Sequence, residues 1–337
     1  MPTARAGSIP TRKPAAEMRR RQLIQGAAAL AAAPLAMAQQ PAWPSRPIRV
    51  VVPFPPGSAA DTIPRAIAQR LQLALETPCL IDNRPGASGT VGAAAVAGAA
   101  ADGYTLLSHT SGITIQPHLV PASFDVLRDF VPVTQTIAGS YVLVVRPSFP
   151  ARDLREFVAT VRSAPGKYSY SSFGSGSGPH LAMELLKQQA GLFILHVPFR
   201  GAAPAMQELL AGRLDMAFDT TFSAVPHIRA GRLVPIAVGG PRTVAALPGV
   251  PTVAQTFAGF DTDGWQGFFA PAGTPGDIVR RLHEETAKAL QQPELEKRIA
   301  DLGFTALGTS PEQFAALART DHERWGRIVR ERHIKAD

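Results

Sequence analysis

Three segments carry residue types and spacings from which ligand chemistry could be built. The first, PFPPGSAAD at 53–61, follows an apolar run and opens a helical pattern. Gly57 lets the backbone approach a ligand closely. A helix start adds unpaired N–H groups at the positive end of its dipole. That combination suits a carboxylate or phosphate, although an ordinary strand-to-helix turn with Asp61 as its cap accounts for the same residues. The second, DNRPGASGTVG at 82–92, opens an alanine-rich stretch. Gly86, Gly89 and Gly92 permit either a cradle of amides or a tight helix–sheet contact. The third, SSFGSGSGPH at 171–180, sets hydroxyls and flexible backbone before a helix near Pro179. It reads as another anion-facing helix start or as a flexible loop.

Several chemistries are excluded or weakened by the same residues. A nucleophile elbow needs G-x-S-x-G, and Ser175 follows Phe173 at the first glycine position while Ser177 follows Ser175. No phosphate loop or G-x-G-x-x-G order is present. His283-Glu284-Glu285 starts like H-E-x-x-H, but Ala287 occupies the second histidine position. The single cysteine, Cys79, excludes an intramolecular disulfide framework and a multi-cysteine zinc site. Neither metal nor cofactor is expected. His180, the one histidine in these loops, reads as a helix-start or core hydrogen-bonding residue. Asp219 follows an apolar run, where a strand's carboxyl end reaches a cleft. It too could be a helix cap, with Thr220 and Thr221 beside it.

These loops need elements to hold them. Short apolar runs at 48–54, 104–107, 141–145, 168–171, 195–197, 216–218 and 234–238 read as strands. Helical patterns at 63–75, 154–162, 181–189, 203–210 and 278–290 lie among them. The alternation argues for an α/β fold with parallel sheets. The tail at 311–332 reads as a long amphipathic helix. No single Pro/Gly linker cuts the chain, which points to a chain crossing between two halves more than once.

The chain has 337 residues, 45% hydrophobic and 18% charged, enough to bury a sizeable core. Its net +8 comes from 34 basic against 26 acidic residues. Six of those basic residues and one acidic residue fall within the first 38, so the remainder carries 28 against 25, a net +3. No basic cluster for a nucleic acid remains. The first 38 residues combine Arg19-Arg20-Arg21, an Ala/Leu-rich stretch and Ala36-Met37-Ala38, the three parts of an export signal. Arg20-Arg21 before Gln22-Leu23-Ile24 resembles a twin-arginine signal, with an ordinary secretory signal as the alternative. The apolar stretch is too short to span a membrane. A soluble exported chain starting near Gln39 is expected.

Taken in order, PAWPSRPIRVVVPFPPGSAAD (41–61), DNRPGASGTVG (82–92), DGYTLL (102–107) and GSGPHL (176–181) resemble one family. VPFRGAAP (197–204), LLAGRLDMAF (209–218), LPGVPT (247–252) and GWQGFFAPAGTP (264–275) extend the resemblance over nearly the whole exported chain. The family is the Bug-type periplasmic solute receptors of tripartite tricarboxylate transporters. The resemblance implies a type II periplasmic-binding α/β fold, with two lobes, crossing hinge strands and a central cleft. It implies a first lobe of 39–144 plus 262–337 and a second of 145–261. It also implies capture of a small organic acid or acidic amino acid by hinge closure, delivery to membrane permease subunits and no enzymatic activity; a monomer is expected. A sensory receptor, or an exported hydrolase or isomerase, stands as the alternative.

The positions matching the family's motifs are Phe54, Pro56, Gly57 and Asp61 in the first loop, and Gly86, Ala87 and Gly89 in the second. Ser108 and Thr110 follow the DGYTLL strand. Ser177, His180, Phe199, Gly201 and Asp219 belong to the second lobe. Ser58 and Ser88 stand where the family usually has glycine, each adding a hydroxyl that could touch the ligand or displace a water. Phe199 replaces the family's common tyrosine, and Arg200 beside it reads as a solvated surface arginine or as a partner for a second acidic group.

Overall fold

The computed structural model describes residues 43–86, 89–199 and 201–335, together with positions 3 and 7. Apart from those two positions, the leader expected at 1–38 lies outside the described residues, as do Ala87, Ser88 and Arg200.

Two sheets organise residues 43–335. The first holds β1 (Ile48–Val52), β2 (Cys79–Asn83), β3 (Thr105–Thr110), β4 (Phe130–Gly139), β10 (Gly264–Pro271) and β11 (Thr305–Ala306), in the order β11-β4-β10-β3-β1-β2. The second holds β5 (Tyr141–Val145), β6 (Ser169–Ser172), β7 (Leu195–Pro198), β8 (Met216–Thr220) and β9 (Val234–Val238), in the order β7-β6-β8-β5-β9. The chain thus leaves the first sheet after β4, builds the second from β5 to β9, and returns at β10.

The sheets are mixed, which corrects the expectation of parallel ones. β2, β1 and β3 run parallel, whereas β10 runs antiparallel to both β3 and β4. In the second sheet β7, β6 and β8 are parallel and β5 is antiparallel to β8 and β9. β5 and β10 each follow a change of sheet, and the short β11 also runs antiparallel to β4. β5 enters the second sheet directly from β4 across one residue, Ser140, without the long crossover that a parallel connection requires.

Helices cover both faces of each sheet, and β1 and β5, packed on both sides, read as largely apolar runs. Ile48, Val50 and Val52 pack with Ile63, Ile67 and Leu71 of α1 (Ala59–Ala74) and Leu282 of α8 (Gly276–Leu290). Leu295 and Ile299 of α9 (Pro293–Asp301) join the same cluster. On the opposite face Val51 and Leu107 meet Ala93 and Val96 of α2 (Thr90–Ala97) and Ile113 of the short α3 (Gly112–Ile115). In the second sheet Leu143 and Val145 pack on Phe157 of α4 (Leu154–Ser163) and Leu181 of α5 (Gly178–Ala190). Val142 and Val144 pack on Leu209 of α6 (Ala202–Leu210) and Ala224 of α7 (Thr221–Arg229).

The last helix, α10 (Pro311–Glu331), joins the two cores. A Ser310/Gln313 capping box fixes its start. Phe314 enters the first sheet's core, while Trp325, Ile328 and Val329 enter the second's. These positions and Ala318 and Asp321 recur at helical spacing along one buried stripe. Midway, the Trp265 indole Nε1 donates to Asp321 Oδ2 at 2.6 Å, and Arg324 donates to Asp321 Oδ1 at 2.8 Å and to the Asp261 carbonyl at 2.6 Å.

Candidate functional site

A cleft of about 950 Å³ lies between the two sheets. It is lined by the loops that follow β1, β3, β6 and β7, by the residues at the start of α2 and α7, and by β10. The parallel strands of both sheets therefore end at the cleft, where the helices after them begin. α1, α2, α5 and α6 start at Ser58, Gly89, Ser177 and Gly201 respectively, and none of these four receives a side-chain cap. Each such start presents the positive end of its helix, worth roughly 0.3–2 kcal/mol toward an anion. The fifth start, α7, is capped: Thr220 Oγ1 accepts the Ser223 N–H at 3.2 Å. None of the described residues lining the cleft carries a charge.

Of the residues singled out from sequence, Phe54, Ser58, Thr110, Ser177, Phe199 and Gly201 line the cleft. Ser177 Oγ is buried without a protein partner. The remaining described candidates lie outside the lining. Asp61 is 2% exposed and ties the first loop together. Its carboxylate accepts the Gly57 N–H at 2.9 Å, the Asn83 amide at 2.8 Å and the Arg65 guanidinium at 2.8 Å. Burial alone would raise its pKa, but these bonds outweigh burial and hold the carboxyl below the ordinary aspartate range. Pro56, in the same loop, is exposed and does not line the cleft. The helix start itself is marked by Ser58, whose hydroxyl donates back to the Pro55 carbonyl at 2.9 Å instead of capping the helix.

The second loop resolves toward packing. A Cβ on Gly89 would sit 2.5 Å from His109 Nε2, and one on Gly92 would sit 2.7 Å from Pro53 Cβ. Gly89 also adopts φ +97°, where only glycine is unstrained. Gly86 and Gly89 lie outside the lining, which Thr90 supplies in their place. His109, wedged against this loop, donates from Nδ1 to the Thr110 carbonyl at 2.9 Å, and burial lowers its pKa to about 4. A neutral ring therefore holds the end of β3. Ser108 is fully buried and accepts from Gln266 Nε2 at 2.9 Å.

In the second sheet, His180 accepts the Gly176 N–H on Nδ1 at 2.9 Å and stacks on His196, with ring centroids 3.9 Å apart. His196 Nε2 in turn pairs with Ser172 Oγ at 2.7 Å. The pair braces the third loop from below. Asp219 is 1% exposed; its Oδ1 accepts the Thr220 N–H at 2.7 Å. Burial, only partly offset by the Thr220 and Ser223 donors, pushes its pKa up to about 7. Thr220 is the residue that caps α7, so Asp219 supports the cap from one position behind.

Four lining groups carry no individual signal in the sequence: Tyr141, Trp265, Gln266 and Phe222. Tyr141 sits where the chain passes between sheets, and its hydroxyl abuts Gly178, where a Cβ would collide with it, and Gly264, where a Cβ would sit 3.0 Å away. Gln266 Nε2 donates to the Ala60 carbonyl at 2.7 Å as well as to Ser108, joining β10 to the start of α1. The crossing is tied by Ser140, which donates to Asp263 Oδ1 at 2.5 Å. Burial raises the Asp263 pKa to about 6. The available signal for Trp265 and Gln266 is the GWQGFF run, which carries the family resemblance without marking individual contacts.

The chain matches known proteins over most of its length. The sequence profile of the tripartite tricarboxylate transporter family receptor covers residues 63–334. A relative from Pseudomonas sp. (strain P51), the UPF0065 protein in the tcbD-tcbE intergenic region, is 37% identical over 96% of this chain and 97% of its own. The Rpa4515 protein of R. palustris, solved with adipate, is 32% identical with a TM-score of 0.75, covering 87% of this chain and 99% of that one. MatC (Rpa3494) of Rhodopseudomonas palustris, solved with bound malate, is 33% identical with a TM-score of 0.71 over 85% and 100%. These matches and the two-sheet architecture agree with the resemblance read from the motifs. The chain has the two-lobed α/β fold of periplasmic binding proteins and belongs to the TctC family of tripartite tricarboxylate transporter receptors.

Proposed function

We propose that the protein is a periplasmic receptor that captures a small carboxylate-bearing metabolite in the cleft and delivers it to membrane permease subunits. The observation that carries this reading is the convergence of four helix starts without side-chain caps on one cavity. Backbone N–H groups there offer hydrogen bonds to an anion without the salt bridge that a cationic side chain would supply. The relatives solved with adipate and malate support the same ligand chemistry.

The two sheets support the reading of two lobes. Since β5 lies in the second sheet, the crossings fall at Ser140 and Asp263, a few residues from the boundaries read from sequence at 144/145 and 261/262. Ligand bridging the lobes shifts the population toward a closed form. Ser58, Thr110 and Ser177 supply hydroxyls, Gly201 supplies its backbone and Phe54 and Phe199 supply apolar contact. Asp61 holds the first loop in shape and does not face the carboxylate, since like charges repel. The leader directs export, and the receptor acts as a monomer that leaves the bound acid chemically unchanged. Among the described residues no helix is long and apolar enough to cross a membrane.

A thermal-shift series of the purified chain against organic acids tests the reading. A carboxylate binding only the native state raises Tm in proportion to the logarithm of its concentration once saturating, and is recovered unchanged by mass spectrometry. Absence of any shift with mono-, di- and tricarboxylates overturns the carboxylate reading. Turnover of the bound acid overturns the receptor reading.

A further inference from the structure

Each of the three parallel strands of the second sheet delivers one phenylalanine to the cleft. Phe199 follows β7, Phe173 follows β6, and Phe222 lies in the first turn of α7 after β8. The strands are neighbours in the order β7-β6-β8. At a strand spacing of about 4.8 Å, the three rings are distributed over about 10 Å of sheet edge. Their loops adjoin: the Phe199 N–H donates to the Ser172 carbonyl at 3.1 Å, at the base of the Phe173 loop. None of the three rings belongs to the core. Phe173 and Phe199 are half-buried, and Phe222 is 47% exposed. Phe54 and Trp265 line the same cavity from the first sheet.

Large apolar rings left part-exposed in a concave site gain free energy when an apolar body covers them. The first sheet's loops present hydroxyl residues at Ser58, Thr90, Thr110 and Ser111 together with the uncapped starts of α1 and α2. Three part-exposed phenylalanines therefore gather on the second-lobe side of the cleft, with Phe54, Trp265 and Phe304 lining it from the first. The described lining offers anions only helix starts and hydroxyls, with no charged side chain to fix a second anionic group by a salt bridge.

We propose that the ligand is a monocarboxylate with an aromatic body, its carboxylate held at the helix starts and its ring packed among Phe173, Phe199 and Phe222. This assignment rests on the carboxylate reading above and narrows it.

Isothermal titration of the purified chain with benzoate, phenylacetate, succinate and adipate tests it, with F173S and F222S in parallel. Both substitutions fall on part-exposed rings, and far-UV circular dichroism with Tm verifies that each variant is folded. At least one aromatic monocarboxylate should bind tenfold or more tightly than either dicarboxylate. Each variant should lower the aromatic-to-dicarboxylate affinity ratio about tenfold, equivalent to about 1.4 kcal/mol. Tighter binding of succinate or adipate than of both aromatic acids overturns the proposal while leaving the carboxylate reading intact. So does dicarboxylate binding that R200Q abolishes, because it reveals a second anionic subsite. An unchanged ratio in both folded variants also overturns it. No binding by any of the four acids, nor by any acid of the thermal-shift series, overturns the carboxylate reading itself and this proposal with it.

Discussion

Replacing Asp219 by asparagine should change the pH dependence of stability more than its value at acid pH. The carboxyl is 1% exposed, and burial moves its pKa from 3.8 to about 7. A carboxyl whose folded-state pKa is raised keeps its proton longer in the native state than in the unfolded chain. Its contribution to stability is complete below the unfolded pKa and is lost as pH rises through about 7. A shift of about three units corresponds to about 4 kcal/mol across the full window, and about 3 kcal/mol of it falls between pH 4.5 and 8. The Asp219→Asn side chain is neutral throughout and keeps an oxygen for the Thr220 N–H now bonded at 2.7 Å. Urea denaturation of both proteins at half-unit steps from pH 4.5 to 8 gives the difference curve directly. The variant should gain on the wild type by about 3 kcal/mol over that range, because every other titrating group cancels in the difference. A difference that stays flat with pH, or that falls, refutes the account of Asp219 as a buried acid that ionises at a cost.

Other perturbations follow from the same contacts. Asp61→Ala removes the acceptor for Gly57, Asn83 and Arg65. It should cost about 1–3 kcal/mol in urea denaturation and weaken carboxylate binding by calorimetry; unchanged affinity would show that the first loop keeps its shape without it. Gly176 has φ +75°, and a Cβ there would overlap Leu119. Gly176→Ala should lower stability by about 1–3 kcal/mol, with part of the loss recovered in a double variant with Leu119→Ala. Trp265→Phe deletes the 2.6 Å bond to Asp321, whose pKa burial already raises. The penalty should be larger at pH 8 than at pH 5 in paired denaturation curves, since Oδ2 loses its donor while Arg324 still holds Oδ1, and that loss costs most when the carboxyl is ionised.

What the sequence discloses follows from how each residue is buried. β5 and β9 are apolar on both faces, as is β1 apart from Arg49, and all three stand out by hydropathy alone. β4 and β10 are as deeply placed, yet they carry polar residues whose burial depends on partners elsewhere in the chain. Thr134 donates to the Thr309 carbonyl at 2.8 Å, and Thr136 donates to the Gln266 carbonyl at 3.0 Å. Those partners lie 175 and 130 residues away, so no local pattern marks these threonines as core. The site divides the same way. Ser58, Ser177 and Gly201 sit at helix starts, where glycine, proline and hydroxyl residues cluster and announce a turn. Asp61, Ser108, His180 and Asp219 share those neighbourhoods, but their side chains turn back to hold the loop, a direction that residue type does not encode. Tyr141 and Gln266 reach the cleft from strands on either side of the sheet crossing, far apart in sequence. Loop composition thus locates the anion-facing half of the cavity, whereas the groups that shape it arrive through the topology. The phenylalanines fall between these cases. Phe173 lies inside a loop already conspicuous for glycine and serine and Phe199 two residues before Gly201, but only the strand order β7-β6-β8 makes them neighbours of Phe222. A ligand preference encoded by such a patch is a property of sheet order first and of residue identity second, which is why substituting single rings should shift selectivity without dismantling the site.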